Sequence, residues 1–235
     1  MRTTILFLSF FATASIASPQ LDKVLQGLGG SHGTSNPTEI AAGLKQALDV
    51  GTTNAVKLTG TENGYWENQA IKIVMPDNLK PLEKGVRMMG GGKQIDDFEL
   101  SMNRAAESAA PSAAPIFKKA ITNMSFSDAR GILNGGDTAA TEYFKRTTSD
   151  ELTTTFKPIV EQSMSKTGVV QKFDGLNKQM ASMPFGKSMQ FDITSYVVRK
   201  SLDGLFFMLG QEEKKIRTNP SAQVTPLLKQ VFGKL

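Results

Sequence analysis

Residues 192–217 read DITSYVVRKSLDGLFFMLGQEEKKIR, and their central run, LDGLFFMLG, decides the fold class. Asp192 is a residue type whose carboxylate accepts from the free amides at a helix start, and the helix it opens extends to about Arg217. Its centre is apolar on almost every face. All-round apolarity marks a helix enclosed by other helices, so the pattern predicts an all-α fold, a kinked multi-helix bundle packed around residues 193–216.

Working outward, Asn219-Pro220 stops this helix and a last short helix, carrying Val224, Leu227, Leu228, Val231 and Phe232, docks back. Upstream, 174–183 reads as helical and Pro184-Phe185-Gly186 as a turn. The stretch SDARGILNGGDTAATEYFKRTTSDEL (127–152) resolves into capped helical segments in close succession. Ser125 and Asp128 form a capping box for a short helix with Ala129, Ile132 and Leu133 inward. Asn134-Gly135-Gly136 ends it through a left-handed glycine, and Asp137 caps the next helix, which buries Ala139, Ala140, Tyr143 and Phe144. Thr148 and Glu151 start another, with Leu152, Phe156, Ile159 and Val160 inward and a kink at Pro158.

The earlier half follows the same logic. Asn36-Pro37-Thr38-Glu39 combines a cap, a proline with preset φ and a capping-box glutamate. Ile40, Leu44, Leu48 and Ala55 then recur at helical spacing to about Leu58. Residues 60–70 are turn-rich. AIKIVMP (70–76) alternates like a strand but has no partner of similar character, so it reads as an extended connector. A short helix over 81–89 ends at Gly90-Gly91-Gly92. A longer one over 94–110 has Ile95, Phe98, Met102, Ala105, Ala106 and Ala109 on one face, with Asp97, Arg104 and Ser108 opposite. Pro111 and Pro115 interrupt an Ala/Ser-rich helix pair running to Met124. Short loops and little or no strand complete the expectation.

The N-terminus is of a different kind. MRTTILFLSFFATASIAS has a basic start at Arg2, an apolar run over 5–12, and small residues at Ser15 and Ala17. That is the pattern of a signal peptide cleaved after Ala17, and the run is shorter than the ~20 residues a spanning helix needs. The organisation expected is a signal peptide over 1–17, a short turn and Gly/Ser-rich linker over 18–36, and a single helical domain over 37–235. The mature protein is then periplasmic or secreted and does not span a membrane.

Composition narrows the chemistry. A chain of 235 residues that is 40% hydrophobic can bury a substantial core. Without cysteine there are no disulfides, thiolate metal sites, cysteine nucleophile or lipoprotein anchor. Cleavage removes Arg2 from the 27 basic residues, leaving 26 against 22 acidic, or +4. That modest, dispersed charge lacks the footprint of a nucleic-acid binder. The one histidine, His32, lies in the linker, where nothing holds a base in position, so Ser-His-Asp systems and zinc sites have no support. No catalytic residue, cofactor or metal ligand is assigned.

The sharpest polar constellation is SMNRAAES (101–108). Asn103 and Glu107 stand four apart on a helix edge shared with Asp96, and Arg104 lies beside Glu107 at i, i+3. Facing a groove, Glu107 is a candidate acid/base with Asn103 and Arg104 orienting a polar group. Otherwise this is a solvated edge whose surface ion pair contributes little, or the same residues are structural. Leu100 within that arc favours burial. Glu142 and Arg146 form an i, i+4 pair, and Tyr143 would line the same cavity if one exists. The candidate binding residues are therefore Asn103, Arg104, Glu107, Tyr143 and Arg146. Tyr65 and Trp66 read as turn aromatics folded onto the core. Asn134-Gly135-Gly136-Asp137 lacks the preceding strand and the Lys-Ser/Thr ending of a phosphate loop, so it reads as a corner.

Five segments read together carry a family resemblance: VGTTNAV (50–56), MNRAAESAAPSAAPIFKKAI (102–121), SDARGILNGGDTAATEYFKRTT (127–148), FKPIV (156–160) and SYVVRKSLDGLFFMLGQEEKKIRTNPSAQVTPLLKQVF (195–232). The chain resembles the exported bacterial domain-of-unknown-function family DUF4197 over nearly the whole mature sequence. The resemblance implies a mostly helical envelope protein and supplies no activity, ligand or site residue. On these grounds the leading expectation is a non-enzymatic envelope binding protein for an apolar ligand or protein partner. The alternatives are a hydrolase or lyase around Asn103, Arg104 and Glu107, and a purely structural envelope component.

Overall fold

The structure, a computed structural model, describes residues 37–166, 168 and 191–219. The signal-peptide, linker and His32 readings, the Asn36 cap, the helix over 174–183, the 184–186 turn and the last helix lie outside these residues. Among the described residues there is helix and no strand. The elements are α1 (Pro37–Gly60), a 3-10 turn (Asp77–Leu79), α2 (Lys80–Met88), α3 (Gly92–Ala109), a second 3-10 turn (Ala110–Ser112), α4 (Ala113–Asn123), α5 (Phe126–Leu133), α6 (Ala139–Lys166) and α7 (Ile193–Thr218).

Local sequence explains most of these boundaries. Ser125 accepts from the Asp128 amide at 3.1 Å while the Asp128 carboxylate accepts from the Ser125 amide at 3.2 Å, the reciprocal capping box. Asp192 accepts from the Ser195 amide at 3.0 Å and starts α7. Hydrogen bonds from the serine hydroxyls first, with backbone bonds behind them, hold the Asp128 and Asp192 carboxyls below their usual range. Because the folded values are depressed, the stability these caps contribute is complete above the usual aspartate pKa of about 3.9 and is lost as pH falls through the lower folded values. NMR titration of the two carboxyl carbons should place both midpoints below about 3.9, and Ser125→Ala should move that of Asp128 upward.

Every helix except α2 places buried residues in the core, and α2 reaches it only through the partly buried Val86. α7 packs on α6, α1 and α3, and α6 also packs on α3, α4 and α5. Phe117 of α4 meets Phe144 of α6 edge-on at 5.1 Å and tilts against Phe206 of α7 at 6.3 Å, a geometry aromatic pairs favour. Gly204 of α7 is required by close approach: a Cβ there would sit 2.5 Å from the Tyr65 ring.

Four expectations are corrected. α7 is not enclosed on all faces: Lys200, Asp203, Phe207, Gln211 and Lys214 form an exposed stripe, with Phe207 44% exposed. The more enclosed element is the second half of α3, where Ser101, Met102, Asn103, Ala105, Ala106, Glu107 and Ala109 are all buried. Small side chains let neighbouring backbones close in there, whereas apolar character alone does not compel burial of every face. Thr148 starts no helix, since it is buried within the continuous α6 and its hydroxyl donates to the Phe144 carbonyl at 2.6 Å. α6 runs on through Pro158.

The Asn134-Gly135-Gly136 corner ends α5 without a left-handed residue. Asn134 is right-handed at φ −87°, and left-handed glycines lie instead at Gly90, φ 86°, after α2, and at Gly168, φ 66°, after α6. Gly135 is needed for space: a Cβ would lie 2.5 Å from the Ala139 Cβ and 2.9 Å from the Gly131 carbonyl oxygen. Gly135→Val should therefore lower stability by about 1–3 kcal/mol through overpacking, measurable by urea denaturation. Gly136, with open space at its Cβ position, should accept alanine far better. The fourth correction concerns Asp137, whose capping role at α6 is taken by Glu213, as described below.

Candidate functional site

The polar edge of α3 faces the fold. Glu99, Asn103 and Glu107 recur every four residues and therefore stack along one side of the helix. Against them lies the connector of residues 61–76. The Asn103 side chain accepts from the Ile73 amide at 2.9 Å and donates to the Ile73 carbonyl at 2.7 Å. Glu99 accepts from the Met75 amide at 2.9 Å. Side chains of α3 thus stand in for a neighbouring strand, and the extended connector forms no sheet.

Glu107, 5% exposed, completes the edge. One carboxylate oxygen accepts from the Tyr65 and Trp66 amides at 3.0 and 3.1 Å, and the other accepts from Arg104 at 2.6 Å. Arg104 also donates to the side chain of Asn63 at 2.7 Å, bracing a residue at φ 67°, a left-handed conformation that asparagine tolerates. Of the two turn aromatics, Tyr65 folds onto the core as expected, whereas Trp66 is only half-buried. Tyr65 is fully buried and its hydroxyl donates to the Ser201 carbonyl at 2.6 Å. Burial, and then the Glu107 carboxylate, pushes that phenol far above its usual range, so it stays a donor. Trp66 carries the Lys72 ammonium 3.6 Å from its ring centre.

The other candidate residues do not join this edge. The Tyr143 hydroxyl donates to the Ala120 carbonyl at 2.9 Å. Arg146 approaches Asp128 at 3.6 Å and lies over the Tyr143 ring, while Glu142 pairs with Lys145 at 3.1 Å. The expected Glu142–Arg146 pair is not formed, because the Asp128 carboxylate of α5 and the Tyr143 ring draw Arg146 away. Asp96 is exposed and pairs with Arg87 at 2.9 Å. Four clefts, at the α6–α7 face, beside Asp137 and Phe207, along Val74 and among Leu44, Leu48 and Ile132, are lined by residues other than Asn103, Arg104, Glu107, Tyr143 and Arg146.

A second buried carboxylate went unrecognised in the sequence. Glu213 of α7, 7% exposed, accepts from the Ala140 and Thr141 amides at 2.9 Å each and from the Thr141 hydroxyl at 2.9 Å. It therefore caps α6 from another helix, occupying the place an external anion would take. Arg217, four residues on, donates to Glu213 at 2.9 Å and to the Ile132 carbonyl at 2.8 Å. The signal available was the i, i+4 pair Glu213–Arg217 close to Leu209 and Ile216, on the buried side of α7.

What stays open is the surface between α6 and α7. Lys145, Ser149, Thr153 and Lys157 recur every four residues on α6 and face Ser195, Val198, Arg199 and Leu202 of α7 across a cleft of about 420 Å³. A neighbouring cleft of about 530 Å³ shares Lys145, Asp203 and Phe206 with it and reaches Asp137, Phe207 and Lys214. Lys157 and Arg199 have no carboxylate partner in an ion pair. By contrast the apolar crevice among Leu44, Leu48, Ile132 and Ile216 has a volume of only about 20 Å³.

The family model described as a protein of unknown function, DUF4197, matches residues 34–233. The chain belongs to that family. For this DUF4197 protein, no curated protein and no solved structure gives a match. No helix among its described residues is long and apolar enough to cross a membrane, and they contain no cluster of acidic or histidine side chains suited to a metal ion.

Proposed function

We propose that the protein is a non-enzymatic binding module of the cell envelope, engaging a protein partner along the α6–α7 groove. The observation that carries this reading is the pair of adjoining clefts that share Lys145, Asp203 and Phe206. Their combined run follows α7 from Ser195 to Lys214, about 28 Å at 1.5 Å per residue. Helix-in-groove recognition needs such a trough, an apolar anchor and a polar rim, and Phe207 and the lysines of α6 supply the last two. An enclosed apolar ligand has less support. Such sites occupy about 300–1,000 Å³, far above the 20 Å³ of the apolar crevice.

The hydrolase or lyase reading loses its footing because Asn103 and Glu107 are buried and bonded to backbone amides. The test fills or recharges the groove at exposed positions. Thr153→Trp and Phe207→Glu should each reduce recovery of a partner from envelope extract about tenfold, ~1.4 kcal/mol, with unchanged melting temperature. Recovery unaffected by both substitutions would sink the groove reading.

A further inference from the structure

We propose that the connector over 72–76 accepts an extended, acidic peptide segment as an added β-strand. The inner edge of this segment is saturated by α3, through Asn103 on Ile73 and Glu99 on Met75. In extended backbone, amide and carbonyl groups of successive residues point to opposite edges, so those of Lys72 and Val74 point the other way. On that outer edge the Val74 carbonyl accepts from the Tyr196 hydroxyl at 3.0 Å. The Val74 amide and the Lys72 carbonyl have no hydrogen-bond partner among the described residues.

These two free groups have a definite geometry. They flank Ile73, and in a parallel ladder the residue opposite Ile73 donates to the first carbonyl and accepts from the second amide. One residue of an incoming strand therefore satisfies both. Pro76 lacks an amide and ends the edge. Room is present: a cleft of about 520 Å³ lies along Val74, and Val74 itself is 46% exposed while Ile73 and Met75 are buried.

The charge of the rim selects the occupant. Lys72, Arg199 and Lys200 line this cleft against a single carboxylate, Asp77, which is engaged by Lys80. Arg199 has no acidic partner and lies over the Tyr196 ring. An acidic side chain flanking the paired residue meets these cations, whereas a second copy of this basic chain brings like charge to the same rim. Main-chain bonds supply the affinity in strand addition and side-chain sites supply the choice of partner.

Selection of random displayed dodecapeptides on the purified protein tests the proposal. The expected winners alternate apolar residues and carry Asp or Glu. A synthetic winner should slow hydrogen exchange of the Val74 amide at least tenfold. Its affinity should fall about tenfold in Val74→Pro, which removes the donor, and also in the doubly substituted Arg199→Gln, Lys200→Gln protein, which leaves the backbone intact and covers the case in which the proline variant fails to fold. Winners with helical three- and four-residue spacing, basic winners, absence of winners, or dimerisation through this edge would overturn it. Helical winners displaced by Thr153→Trp would do so while leaving the α6–α7 reading standing.

Discussion

Replacing Glu213 by alanine is expected to lower stability by about 3–5 kcal/mol, the range for removing one partner of a buried ion pair. Three losses coincide. The Ala140 and Thr141 amides at the start of α6 lose their acceptor, the Thr141 hydroxyl loses another, and the guanidinium of Arg217, 8% exposed, loses its carboxylate. Water cannot readily replace the carboxylate at a site this enclosed, so the desolvated Ala140 and Thr141 amides lose their acceptor without a substitute. Guanidinium denaturation of the single and double variants would measure this, and Glu213→Ala with Arg217→Ala should cost clearly less than the sum of the two single changes. Asp137→Ala, at the exposed position where local sequence would place the cap, should change stability by less than about 0.5 kcal/mol. A large effect at Asp137 and a small one at Glu213 would reverse the assignment.

Glu107→Gln is expected to cost about 2–3 kcal/mol although the side chain keeps its shape. One oxygen can still accept from the Tyr65 and Trp66 amides. The new amide group then presents hydrogens to Arg104, which now donates at 2.6 Å, and hydrogen bonds to charged groups contribute about 1.5–3 kcal/mol. Arg104 is 31% exposed and can turn to water, so the effect should stay below that at Glu213. The chain has a single tryptophan, Trp66, and its emission reports on this turn directly. Denaturation should thus show lower stability together with altered native fluorescence. Full stability combined with loss of an enzymatic activity would restore the catalytic reading of Glu107.

The Asn103–Glu107 edge shows how far local pattern reaches. Spacing correctly placed these residues on one helix edge with Arg104 beside Glu107, and Leu100 correctly hinted at burial. Their partners lie 30 to 42 residues away in a turn-rich connector whose brief alternation over 70–76 does not reveal what it pairs with. The same separation explains Arg146. Its i, i+4 neighbour Glu142 was visible in the sequence, whereas the Asp128 carboxylate that it approaches is brought near only when α5 packs on α6.

Sequence alone determined the all-α class, the family, and the two caps at Ser125–Asp128 and Asp192, because those caps are made within four residues and the helical stripes repeat within two turns. It also determined the absence of cysteine chemistry. Tertiary structure decided which polar groups are buried, that α6 is one helix, that Glu213 caps it from 73 residues away, and that Gly135 is held by the nearness of Ala139 and Gly131 carbonyl oxygen. The physical reason is common to all of these. A buried carboxylate or a close backbone approach is defined by what lies opposite it in space, and a one-dimensional pattern records only what lies beside it along the chain.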